Sequence, residues 1–182
     1  MTFDEEREEI GRAGNRLLSV LLRESERAVV VLGAAQIDAD LERLLMHVLH
    51  PAASRNDDLL DTGQPLSAFA VKISLAHRLG IIDDDFKTAL NTVRKIRNDF
   101  AHNAAEPGLA LEKHRDRVEQ VVKWAERDLT YQRGMSKSVF PDDMPMLRRQ
   151  FIVSIISMML LLRTGVFFLH KVDCGVQIRP AI

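Results

Sequence analysis

"SAFAVKISLAHRLGIIDDDFKTALNTVRKIRNDFAH", Ser67 to His102, reads as two helices joined by a tight turn, and that reading sets the fold class. Phe69, Ile73, Ala76 and Leu79 recur at steps of three and four, so they form one apolar stripe on a helix. Gly80 then stands where a helix C-terminus favours a residue without a β-carbon. Asp83, Asp84 and Asp85 open the next helix, where carboxylates suit the positive end of the helix dipole. Phe86, Leu90, Val93, Ile96 and Phe100 continue at helical steps and predict its buried face.

The same periodicity extends outward in both directions, with no sustained run of strict alternation. Upstream, an apolar pattern through Leu17, Val20, Leu21, Val29, Leu32, Ile37, Leu41, Leu44, Leu45 and Val48 predicts two helices or one bent helix. Ser25 is the expected N-cap of the second part, and "FDEEREE" reads as a solvated helix start. "LHPAASRNDD" breaks the pattern through Pro51, and Gly63 and Pro65 mark a further loop. Downstream, a helix is expected from about Leu111 to Leu129, with Val118, Val121, Val122 and Ala125 inward. "RGMSKSVFPDDMP" reads as a linker before an apolar helix at about 143–170. The expectation is a single all-α domain over residues 1–182, a compact helical bundle with that apolar C-terminal helix buried in it.

That last helix is also the stretch closest in length to a membrane span. "FIVSIISMMLLLRTGVFFL", 151–169, carries Ser154, Ser157, Arg163, Thr164 and Gly165. An arginine well inside a span costs roughly 2.5–3.5 kcal/mol on insertion. A core helix is therefore the expected reading, with no membrane contact, and a packed Leu161 would lose about 2–5 kcal/mol on truncation to alanine.

Composition narrows the function. The chain has 182 residues, suited to one well-filled core. Its 25 Lys and Arg against 26 Asp and Glu leave a net charge of -1, without the positive excess that non-specific nucleic-acid binding uses. Cys174 is the single cysteine, so no intrachain disulfide forms, and the acidic start "MTFDEEREEI" does not resemble a secretion signal. A reducing, cytoplasmic setting is expected.

Candidate chemistry centres on "KIRNDFAH", Lys95 to His102. Metal-independent RNA cleavage needs a group of near-neutral pKa to move the 2′-hydroxyl proton and a cation to stabilise the phosphate. His102 and Arg97 are of those types. They lie about 500° apart around a helix, whereas Asn98 and His102 share a face. Two readings stay open: the three residues satisfy a helix end or an interface, or Arg97 and His102 form a ribonuclease site with Asn98 in support. Two further patterns have simpler structural explanations. "ISLAHRLGIIDDDFKTALNTV" imitates a helix-turn-helix, but Asp83 to Asp85 would face phosphates from the would-be recognition helix. His47 and His50 have helical metal-ligand spacing but no third ligand at a recognisable distance, so no metal is expected. No phosphate-binding glycine loop or nucleophile elbow occurs, and no cofactor is expected.

"ESERAVVVLGAAQIDADLERLL", "LSAFAVKISLAHRLGII" and "KIRNDFAH", at these separations, resemble the mannitol operon repressor (MltR-like) family. The likeness runs from about residue 24 to 124, with Gln64 inserted in the family's glycine-proline turn. It implies a compact α-helical transcriptional regulator that acts through protein partners and does not grip DNA itself. "RNDFAH" also resembles the Arg-x4-6-His motif of the HEPN superfamily. That second likeness implies the alternative, an endoribonuclease (a toxin or defence component) in which Arg97 stabilises the phosphate, His102 is the acid–base group, and RNA is the substrate. Either way a homodimer is expected, with Arg97, Asn98 and His102 near its two-fold seam.

Overall fold

In the computed structural model, Thr2 begins the first helix with a reciprocal cap. Its hydroxyl accepts from the Glu5 amide at 3.3 Å, and its own amide donates to Glu5 Oε2 at 2.7 Å. The structure describes residues 2–54, 56–102, 108–137, 139–173 and 175. Cys174, Asn103 and most of the C-terminal tail lie outside these residues. Among the described residues there are seven helices and no strand: α1 Phe3–Leu21, α2 Glu26–Val48, α3 Phe69–Arg78, α4 Asp84–His102, α5 Glu112–Ala125, α6 Leu129–Met135 and α7 Met146–Gly165.

Caps explain most of these boundaries. The long apolar stretch before Pro51 is two helices, because Ser25 accepts from the Ala28 amide at 3.2 Å and restarts the chain as α2. Gly80 takes φ +72°, and the amides of Gly80 and Ile81 reach back to the carbonyls of His77 and Ala76. That is the Schellman pattern, and it closes α3. Asp83 accepts from the Phe86 amide at 2.7 Å and opens α4.

Two boundaries depart from expectation. The helix expected to end near Leu129 stops at Ala125, and a separate helix, α6, starts at Leu129 and runs into the first residues of the stretch read as linker. Asp128 causes the restart, since its carboxylate accepts from the Thr130 amide at 2.7 Å. Tyr131 of α6 is buried, so this short helix is held by packing and not by propensity. The last helix is shorter than 143–170, because Pro145 occupies its N-cap and the helical pattern ends at Gly165.

α7 packs against α1, α2, α5 and α6, while α4 packs against α2, α3 and α5. Phe151, Ile152, Ile155 and Met158 of α7 meet Ile37, Leu41 and Leu45 of α2 within one apolar core. Leu90, Val93, Ile96 and Phe100 bury the inner face of α4, and Phe86 stacks on Trp124 with ring centres 4.4 Å apart. Not every residue of the apolar pattern is inside. Val20 and Leu32 are exposed, and Leu161 is partly exposed while its neighbour Leu162 is buried.

Arg163, the polar interruption of the apolar helix, has a partner. Its Nε donates to Asp40 Oδ1 at 2.9 Å, and the same carboxylate accepts from Arg43 at 2.8 Å and Gln36 at 2.8 Å. Asp40 is only 2% exposed, so this cluster ties the end of α7 to the middle of α2. None of the described helices is long and apolar enough to cross a membrane.

Candidate functional site

The phase of α4 decides what the "RNDFAH" turn presents. Ile96 and Phe100 are fully buried, which turns Arg97, Asn98 and His102 away from the core. Arg97 and His102 are exposed and Asn98 is partly exposed. Arg97 donates to Asn98 Oδ1 at 3.1 Å. Its side chain lines a polar cavity of about 420 Å³ with Asp38 and Glu42 of α2, Phe69 and Lys72 of α3, and Ser67 of the preceding loop. His102 is the last residue of α4, about 7.5 Å further along the axis, and does not line that cavity. The fold therefore joins Arg97 to Asn98 and to the α2–α3 charges, and leaves His102 apart from them within one chain.

Lys72 organises the cavity. It is 3% exposed, and its ammonium sits 2.8 Å from Glu42 Oε2 and 2.5 Å from Asp38 Oδ1. The Glu42 contact is a hydrogen bond, whereas Asp38 Oδ1 is held by charge proximity without hydrogen-bond alignment. Burial disfavours the charged lysine, but the two carboxylates outweigh it and hold the Lys72 pKa above its ordinary value. For Asp38 burial prevails, raising its pKa despite the attraction of Lys72 and Arg97. The carboxylates of Asp38, Glu42 and Asp61 thus meet the cations of Lys72 and Arg97 in one concavity, a recognition surface with both signs of charge.

Asp99, between Asn98 and Phe100, faces the opposite neighbour. It accepts from Arg117 at 2.8 Å, and Lys113 and His114 lie at 3.5 Å and 3.4 Å from the same oxygen. His114 is fully buried and its Nδ1 lies 3.0 Å from the Gly108 carbonyl. Partial burial pushes Asp99 up, but Arg117, His114 and Lys113 together hold its carboxyl below the ordinary range. Because the folded value is the lower one, Asp99 contributes stability above the unfolded carboxylate pKa near ~4 and loses it as pH falls through the folded value. Denaturant titrations over a pH series are expected to show the wild type losing stability below pH ~4 more steeply than Asp99→Asn, with parallel curves above pH ~5.

The other candidates have structural partners. Asp83 caps α4, Asp84 sits 2.8 Å from His77 Nε2, and Asp85 pairs with Arg127 at 2.9 Å. The acidic start of α4 is thus tied to neighbouring groups while its side chains stay exposed. His47 Nε2 lies 3.2 Å from the Leu169 carbonyl and His50 Nδ1 lies 3.2 Å from that of Pro51. Among the described residues no three His, Cys, Asp or Glu side chains gather to hold a metal ion.

Sequence reasoning did not pick out Lys72, Asp38 or Glu42. One signal for them exists, since Lys72 shares the inward stripe of Phe69, Ile73 and Ala76, and a lysine on an apolar stripe needs anionic partners. Asp38 and Glu42, four apart on α2, present carboxylates on one face. Compared with known proteins, the chain matches no family model, no curated sequence and no solved structure.

Proposed function

We propose that this protein is a non-enzymatic transcriptional regulator of the mannitol operon repressor (MltR-like) type, acting through a protein partner and not by direct DNA binding. The observation that carries the reading is the separation of Arg97 from His102: the arginine faces Asn98, Asp38 and Glu42, and the histidine stands at the helix end. A guanidinium among carboxylates is suited to charge recognition at an interface. The carboxylates at the start of α4 support the second half of the proposal, because they would repel DNA phosphates. The protein is placed in the reducing cytoplasm as a homodimer, with Arg97, Asn98 and His102 near the two-fold seam.

Purified protein is expected to form no sequence-specific complex with its upstream DNA at physiological salt. A salt-resistant complex with a defined footprint would end this reading.

The second reading is a HEPN-type, metal-independent endoribonuclease, and the exposure of both Arg97 and His102 favours it. Two copies meeting at a seam would bring one chain's arginine near the other's histidine. Incubation with RNA in the presence of a chelator separates the two. The regulator reading expects no cleavage by the wild type, and altered molecular mass or stability in Arg97→Ala and His102→Ala. Robust cleavage that disappears in the folded variants would install the ribonuclease instead.

A further inference from the structure

A second concavity, between α1, α6 and α7, differs in character from the charged one around Lys72. Leu18 of α1 and Ile156 and Leu160 of α7 supply an apolar wall to a cavity of about 240 Å³. That is slightly below the roughly 300–1,000 Å³ of sites for drug-sized molecules, so it suits a small ligand and is too small for a two-chain lipid.

Three features are left unexplained by packing. Gly11 lines the cavity, and a β-carbon there would meet nothing within 4 Å. A glycine inside a helix weakens it, and no close neighbour requires this one. Gly14 is different, because its β-carbon would approach Leu160 at 3.2 Å. Gly11 borders the groove without a side chain. Next, Ser157 is fully buried and lines the cavity, yet its hydroxyl has no hydrogen-bond partner. A mid-helix serine commonly donates to the carbonyl four residues back, as Ser154 does to Gln150 at 2.9 Å. Finally, Arg133 and Lys137 line the groove, and among the described residues no carboxylate does. Lys137 reaches only the neutral Asn15 Oδ1 at 3.1 Å, and the Arg133 side chain has no hydrogen bond or ion pair among the described residues.

We propose that this groove binds a medium-chain carboxylate, its apolar chain on Leu18, Ile156 and Leu160 and its anionic head met by Arg133, Lys137 and the Ser157 hydroxyl. An apolar wall accounts for the chain. Two cations without a neutralising acid account for the charge, and a carboxylate is the group whose two oxygens match the fork of an arginine. Ser157 supplies a donor whose desolvation is otherwise uncompensated. The site is separate from the Arg97 cavity and does not depend on the regulator reading.

The probe is octanoate, titrated calorimetrically into the full chain, with 1-octanol as the neutral molecule of equal chain length. The expected result is saturable one-to-one binding of octanoate, with octanol weaker by roughly tenfold or more. Arg133→Ala, which removes an exposed side chain, is expected to weaken octanoate by roughly tenfold and leave octanol unchanged. Gly11→Leu fills the groove from its open side and is expected to abolish binding of both at unchanged helicity and molecular mass. Ser157→Ala gives a further loss for octanoate alone. Three outcomes overturn the proposal: no saturable heat from octanoate up to millimolar concentration, equal affinity for octanol and octanoate, or full octanoate affinity in Arg133→Ala. Full affinity in folded Gly11→Leu would likewise place the ligand elsewhere.

Discussion

Phe100→Ala is expected to lower the unfolding free energy by about 3–5 kcal/mol, the range for removing a fully buried aromatic ring that the surroundings cannot refill. Phe100 is 0% exposed, and its ring centre lies 4.9 Å from that of the buried His114. The lost ring therefore opens a cavity between α4 and α5 that contains an imidazole as well as aliphatic groups. A polar wall has no apolar side chain ready to collapse into the space, which places the effect at the upper part of the range. Arg97→Ala and His102→Ala, on the exposed face of the same two turns, are expected to cost much less than Phe100→Ala. Urea titrations of the three variants check this. A Phe100→Ala protein as stable as the others would mean that α4 does not bury the face assigned to it.

Asp40→Ala carries the second large effect, a loss of about 2–4 kcal/mol by the same measurement. Its carboxylate is the shared acceptor of Gln36, Arg43 and Arg163, and its side chain is fully buried. Removing it leaves Arg163, whose side chain is 20% exposed, without its anion beside the apolar end of α7. Arg43 is 64% exposed and regains water, so its contribution to the loss is small. Arg163→Met is the informative companion, because it removes the partly buried cation while Arg43 and Gln36 still satisfy Asp40. It is expected to cost less than Asp40→Ala. Equal stabilities for Asp40→Ala and the wild type would show that the cluster is a surface decoration and not a tie between α2 and α7.

These two residues also divide what could be read from the chain and what could not. Phe100 was legible, because steps of three and four from Phe86 assign it to the buried face with no knowledge of what lies opposite. Ser25, Gly80 and Asp83 were legible for a similar reason, since each acts on backbone groups within one helical turn. Asp40 and Arg163 were not a visible pair. They lie 123 residues apart, and their meeting depends on how α7 lies along α2. The short helix α6 was hidden in the same way: its seven residues carry too little periodicity to register, and the burial of Tyr131 fixes it.

The candidate site splits along the same line. That Arg97, Asn98 and His102 lie outside the core follows from the buried phase of Ile96 and Phe100, which the sequence alone determined. It also determined the all-helical class and most helix starts and stops, because periodicity and capping are interactions between near neighbours. Only the tertiary structure decided that Arg97 joins Asp38, Glu42 and Lys72 while His102 stands apart, and that Gly11, Ser157 and Arg133 border one groove. Those groupings depend on the angles and separations at which helices cross. The physical reason is that crossing geometry is set by side chains from several helices interlocking at once, and no single stretch of chain contains that information.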